Sequence, residues 1–300
     1  MRAPDDGVST AGRPRFAPEW LELREPADAA ARAPGLLSPL RAALSAGSGA
    51  PRGTVIRDLG CGTGSMARWL AVRLPGPQHW ILYDHDPALL ARAAEAMPAA
   101  AADGAAVSAT TERGDLARLT AAALAGTSLV TASALLDLLT RDEVAGLAEA
   151  CVGAGCPALL ALSVAGRVEL TPYEPLDDEI GAAFNGHQRR RADGRQLLGP
   201  DAVVAATEAF ERRGATVLTR SSPWRLAAPE AELTAAWLRG WVAAAREQRP
   251  ELGARADAYL GRRLAACAAG ELTVTVHHTD LLALPGPRPG ADPSDAGAAR

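Results

Sequence analysis

Along the chain, short apolar runs alternate with longer stretches whose apolar residues recur three and four positions apart. The runs "TVIRDL" (54–59), "HWILYD" (79–84), "AVSATTERGD" (106–115), "SLVTASAL" (128–135), "PALLALSV" (157–164), "ATVLTRSS" (215–222) and "ELTVTVHHTDLLAL" (271–284) predict strands. Between them, "SMARWLAVRL" (65–74) sets Met66, Trp69, Leu70 and Leu74 on one side of a helix. "DPALLARAAEAM" (86–97) opens with an Asp cap and a Pro at the first helical position. "TRDEVAGLAEAC" (140–151) begins with Thr140 and Glu143 in capping-box spacing. "GPDAVVAATEAFERRG" (199–214) carries Pro near its start and Gly at its end. Strands alternating with helices predict an α/β fold, a mainly parallel sheet covered on both faces. A helical block at 229–269 precedes the last strand, and its Trp237 and Trp241, beside Leu233 and Leu238, read as core-facing aromatics. The expected organisation is one domain over 16–285. It has an N-terminal helical cap (16–50), a lid segment (165–198), the helical insertion (229–269), and disordered tails at 1–15 and 286–300.

Composition narrows the partners. The 300 residues are 48% apolar and 22% charged, with a net charge of -4, which is ordinary for a soluble globular chain. A mildly acidic balance argues against nucleic acid as a partner. All 31 basic residues are arginine, the codon bias of a GC-rich genome, so most of them read as surface cations. Cys61, Cys151, Cys156 and Cys267 form no zinc-type spacing, and no metal is expected. Neither a signal peptide nor a membrane-length apolar run is visible, which predicts a cytoplasmic protein. The oligomeric state stays open.

The chemistry begins at "VIRDLGCGTGSMARWL", a glycine loop between a strand and a helix. Glycines let the backbone turn sharply and lie against a ligand. The spacing suits two cofactors. Gly62, Gly64 and Ala67 satisfy the dinucleotide fingerprint, which leaves a nicotinamide-dependent oxidoreductase open. Asp58 favours the other reading, since a carboxylate repels a pyrophosphate and binds an ammonium.

"DLGCGTG" resembles motif I of the class I S-adenosylmethionine (SAM)-dependent methyltransferases. "ILYDHDP" is similar to the family's second-strand motif and "ERGDL" to its third-strand motif. The resemblance implies a seven-stranded, mostly parallel Rossmann-like sheet and SAM as cofactor. Its implied cofactor residues are Asp58, Gly60, Cys61, Gly62 and Gly64 in the loop, Asp84 on the ribose hydroxyls with His85 beside it, Asp115 and Leu116 at the adenine, and Ser133 near the methyl. Asp86 is better placed than Asp84 to cap the following helix, which frees Asp84 for the ligand. "WLELREPADAAAR" (20–32) and "FNGHQRR" are similar to a bacterial subgroup of these enzymes that brings no assigned substrate.

The acceptor side draws on three segments. After the fourth strand, Asp137 sits among leucines and is a candidate base. In the lid segment, a helix over "DDEIGAAFNGHQRR" places Phe184, His187 and Arg191 on one face and Asn185 and Arg189 on another. His187 is a general base by residue type, with Phe184, Asn185, Arg189 and Tyr173 as acceptor contacts. From the cap, Arg24 and Arg32 would bind an anionic acceptor, unless they only form a salt ladder with Asp28. The expected function is methyl transfer to O or N of a small, anionic molecule. The rival readings are a non-catalytic SAM- or nucleoside-binding protein and the oxidoreductase.

Overall fold

The computed structural model describes residues 17–47, 53–116 and 119–286. Both expected tails lie outside these residues, apart from residue 286. The chain opens with α1 (Pro18–Ala31) and α2 (Leu37–Gly47), then β1 (Thr54–Leu59), α3 (Ser65–Ala71), β2 (Gln78–Asp84), α4 (Pro87–Glu95), β3 (Val107–Arg113) and β4 (Leu129–Ser133). It continues through α5 (Arg141–Ala154), β5 (Ala158–Thr171), α6 (Leu176–Gln188) and a small hairpin of β6 (Arg191–Ala192) and β7 (Arg195–Gln196). Last come α7 (Ala202–Glu211), β8 (Thr216–Ser221), β9 (Trp224–Leu226), α8 (Ala231–Gln248), α9 (Gly253–Ala268) and β10 (Thr273–Leu284).

Among the described residues the main sheet has eight strands, in the order β3-β2-β1-β4-β5-β10-β8, with β9 also paired to β10. The expected seven strands are all present, and β9 is the addition. β1 through β5 pair in parallel, whereas β10 runs antiparallel to β5, β8 and β9. The local signals account for the helix starts. Asp86 accepts from the Ala88 N–H and caps α4, and Thr140 and Glu143 form the reciprocal box at α5.

β5 extends well past the expected 157–164. Its first half is buried on both faces, and its second half alternates buried or half-buried with exposed positions. The change follows from its neighbours, since the second half pairs only with β10 and has one covered face. Gly166, at φ +70°, sits where this switch occurs, and a Cβ there would meet Pro200 Cβ at 2.8 Å.

Three cores flank the sheet. One lies under α5 and α7 and includes Leu147, Cys151, Ala206 and Phe210. The opposite face packs Leu36, Leu40, Trp69, Leu70 and Trp80. The third joins the outer half of β10 and β9 to α6, α8 and α9 through Ile180, Trp224, Trp237, Trp241 and Tyr259. Trp237 and Trp241 stack at 4.9 Å between ring centroids, in the core as expected. α6 packs on α8, so the lid segment supplies a strand extension and one helix of this third core.

Candidate functional site

The loop after β1 holds Gly60, Gly62 and Gly64 at φ of 59°, 55° and 86°, a region that side chains with a Cβ avoid. Space is also tight there. A Cβ on Gly60 would stand 3.1 Å from Leu135, and one on Gly62 would stand 3.2 Å from Leu21. The loop forms the floor of a cavity at the C-terminal ends of β1, β2 and β4, where ligands bind in open α/β sheets.

Two buried carboxylates at strand ends face this cavity. Asp58, at the end of β1, has no solvent exposure. The Thr131 hydroxyl donates to its Oδ1 at 2.6 Å, and its Oδ2 is buried without a partner. Burial pushes its pKa up to about 7, against the pull of the Thr131 bond and of Arg32. Asp84, at the end of β2, accepts from the Gly62 N–H and the Asp86 N–H, each at 3.0 Å. The His85 Nδ1 is 3.1 Å from Asp84 Oδ1. Gly114, Leu116, Tyr83, Met66 and Leu89 also line the cavity. Asp115 is half-buried between Gly114 and Leu116 and does not line it.

α1 roofs the loop. Leu21, Arg24 and Asp28 line the cavity from above. The helix is fastened by Glu22 to Arg92 of α4, by Glu25 to Arg68 of α3, and by the Trp69 indole, which donates to the Ala29 carbonyl. Asp28 accepts both N–H groups of Arg24, at 2.9 and 3.1 Å, and the Trp224 indole N–H at 2.9 Å. The Arg24 guanidinium lies over the Trp224 ring. At the end of α1, Arg32 is buried and donates from Nη2 to Ser65 Oγ at 2.9 Å and Ser133 Oγ at 3.2 Å. Both serines line the cavity, and Arg32 lies behind them.

The far wall is apolar. Leu135, Leu138 and Leu139 come from the segment after β4, together with Arg195 from β7. Arg195 is tied to the Leu138 carbonyl and the Glu143 carboxylate. Asp137 sits in the same segment, half-buried and outside the cavity lining. Burial pushes its pKa up to about 6, with Arg24 and Arg190 opposing.

The other candidates from the lid segment lie elsewhere. His187 faces α8, with Nε2 3.2 Å from Glu247 and Nδ1 3.3 Å from Arg190. Asn185 donates to the Gly166 carbonyl at 2.7 Å and braces α6 against β5. Arg189 pairs with Asp201, Phe184 packs into the third core, and Tyr173 is 61% exposed with its hydroxyl on Asp178. None of the five lines the cavity; Phe184, Asn185 and His187 lie on α6, which packs on α8 and β5, and Tyr173 and Arg189 lie beyond its two ends. Thr131, Ser65 and Arg195 belong to the site without being singled out by the sequence. Thr131 was legible as a polar residue inside an apolar strand, in register with Asp58. Arg195 carried no signal in a chain rich in arginine. Among the described residues no His, Cys, Asp and Glu group could hold a metal, and no helix is long and apolar enough to cross a membrane.

Residues 56–154 match a family described as Methyltransferase domain. The matched segment runs from β1 to α5, and its strand order and glycine loop agree with the resemblance to class I SAM-dependent methyltransferases. Among solved structures it is similar to a SAM-dependent methyltransferase from Thiobacillus denitrificans in complex with S-adenosyl-L-homocysteine. That pair shares 17% identity over 89% of this chain and 99% of the other, at a TM-score of 0.42. A second, from Geobacter sulfurreducens with the same ligand, shares 17% identity over 90% and 99%, at a TM-score of 0.39. The cyclopropane synthase MmaA2 from Mycobacterium tuberculosis shares 13% identity over 82% and 83%, at a TM-score of 0.41. No curated protein sequence matches the chain.

Proposed function

We propose that the protein methylates an oxygen or nitrogen of a small molecule held between α1 and the segment after β4. The observation that carries this reading is the recess walled by Leu21, Leu135, Leu138 and Leu139, which shares one cavity with Asp58 and the glycine loop. A recess roofed by a helix suits a compact acceptor better than a polymer.

The residues fit the cofactor. The unpartnered Asp58 Oδ2 is a seat for an ammonium, and the glycine loop leaves room for a ligand against the backbone. Asp84 and His85 stand where ribose hydroxyls would be bound, and Gly114 and Leu116 where a base would lie. SAM supplies an electrophilic sulfonium methyl. The chain's own residues orient the acceptor and keep water out, which the leucine wall and α1 can do. Where the acceptor must lose a proton, Asp137 would have to act through a water, because it feels the cavity-lining Arg24 but does not itself line the cavity. An anionic acceptor has less support. Arg24 gives its N–H groups to Asp28, and Arg195 is tied to Glu143. Each guanidinium keeps further N–H donors, but its charge is already met by a carboxylate.

Two measurements test the reading. Thermal shift should show stabilisation by SAM and S-adenosylhomocysteine and none by NADH. Labelled SAM, incubated with a metabolite extract separated by size, should pass label to the low-mass fraction. Stabilisation by NADH alone, or label found only in macromolecules, would overturn it.

A further inference from the structure

Arg32 is an unusual buried cation. It is 2% exposed and no carboxylate bonds to it. Three carboxylates lie within electrostatic reach, namely Asp28, Asp280 and Asp58. Each bonds to other groups. Asp28 holds Arg24 and Trp224. Asp280 accepts from the Ala33 N–H and the Leu162 N–H, both at 2.8 Å, and Asp58 accepts from Thr131. The Nε and Nη1 of Arg32 are buried with no hydrogen-bond partner among the described residues, and the guanidinium lies over the Trp69 ring, 5.6 Å from its centroid. An unmet buried donor on a charged group is costly, and structures keep such groups where something else meets them.

The two bonds that Arg32 does make set the direction of charge. Each serine oxygen accepts from Nη2, so each hydroxyl proton remains free to be donated elsewhere. Both serines line the cavity. A cation behind two hydroxyls polarises them as donors. The same cavity presents the opposite vacancy, since Asp58 Oδ2 is buried and offers a charged acceptor without a donor. One wall therefore offers an anion two donors, and the loop floor offers a cation one acceptor.

We propose that Arg32, acting through Ser65 and Ser133, forms the carboxylate half of a seat for an α-amino-acid head group, with Asp58 as the ammonium half. This rests on the reading of the cavity as the SAM site and assigns the methionine end of the cofactor. Arg32 is a positioning residue, because the serines make the contact. It belongs to the end of α1, outside the 56–154 family match, so the cap takes part in holding the cofactor. Arg32, expected to meet the acceptor, serves the methyl donor.

The test compares two ligands that differ in the head group. S-adenosylhomocysteine carries the amino-acid head, and 5′-methylthioadenosine lacks it. Calorimetric titration of the wild-type chain, Arg32→Met and a Ser65→Ala/Ser133→Ala double variant gives six dissociation constants. In both variants S-adenosylhomocysteine should bind about tenfold more weakly or worse, while methylthioadenosine changes by less than roughly twofold. A merely structural role would weaken both ligands together, and that result overturns the assignment, as would unchanged binding of S-adenosylhomocysteine. Should Arg32→Met fail to fold, the double serine variant decides alone. If the wild-type chain binds neither ligand, the SAM site itself is wrong. If it binds both and the variants do not discriminate, only the role of Arg32 falls.

Discussion

Asp58 shows how much one residue can carry. Burial holds its carboxyl near 7 rather than 3.8. The unfolded chain releases this proton at the lower value, so between about 4 and 7 the folded state binds more protons than the unfolded one. The stability linked to this group is therefore full below about 4 and is lost as pH rises to about 7. Asp58→Asn removes the charge. The ligand-free variant should melt no lower than wild type at pH 8, and its SAM affinity should fall about 10- to 100-fold. Thermal melts at pH 5 and 8, with SAM titrations, check both halves. Asp137 has the same cause of shift with a different use. If it takes the acceptor's proton, turnover should rise with pH through about 6 and then level. In that case Asp137→Asn should lower kcat by about 100-fold or more. At this scale the sequence was informative wherever a motif fixed the backbone. The loop glycines, the Asp86 cap and the Thr140–Glu143 box follow from local rules. Arg24 and Arg32 did not, because four-residue spacing shows that two side chains share a face but not what faces them. One stacks on Trp224, which is 200 residues away in sequence.

The lid segment holds the main lesson about elements. Length and polarity made 165–198 look like a roof over the acceptor. Its first residues instead continue β5, with Val168 and Leu170 turned to the third core and Arg167 and Glu169 outward. That alternation is a strand signal, hidden by the charges and by the turn at Gly166. α6 was legible as a helix, but its partner α8 was not, since nothing local says which helix a face will meet. His187→Ala should consequently leave SAM affinity unchanged and turnover within a few-fold of wild type, measured with labelled SAM. Asp177 is a stronger probe of the same element. It receives the Tyr259 hydroxyl at 2.5 Å and the buried Arg263 guanidinium. Asp177→Ala removes that cation's close carboxylate and leaves it the Pro172 carbonyl and Glu174 at 3.5 Å, at a cost of up to about 3–5 kcal/mol. Denaturant unfolding should report the loss, while SAM affinity, which belongs to the other end of the sheet, should hold under conditions where the variant stays folded.

At the scale of the molecule, strand order and helix placement were readable, because alternating strand and helix patterns leave few topologies. Strand β9 was not, since three residues are too short to set a period. The central place of β10 was legible only through the family resemblance. It pairs with β5 along most of its length and also with β8 and β9. A chain ending at residue 272 should therefore be recovered mainly as aggregate, with β5, β8 and β9 all left without this partner, whereas one ending at residue 286 should stay soluble. Fractionating lysates of both chains gives the answer. The same placement orders events on the ribosome. Every other strand of the sheet is made before β10, so the growing polypeptide holds a split sheet whose halves cannot close until the last strand has left the exit tunnel. A fusion partner attached at the carboxyl end would then let β10 leave the tunnel and close the sheet while synthesis continues, whereas one at the amino end would not.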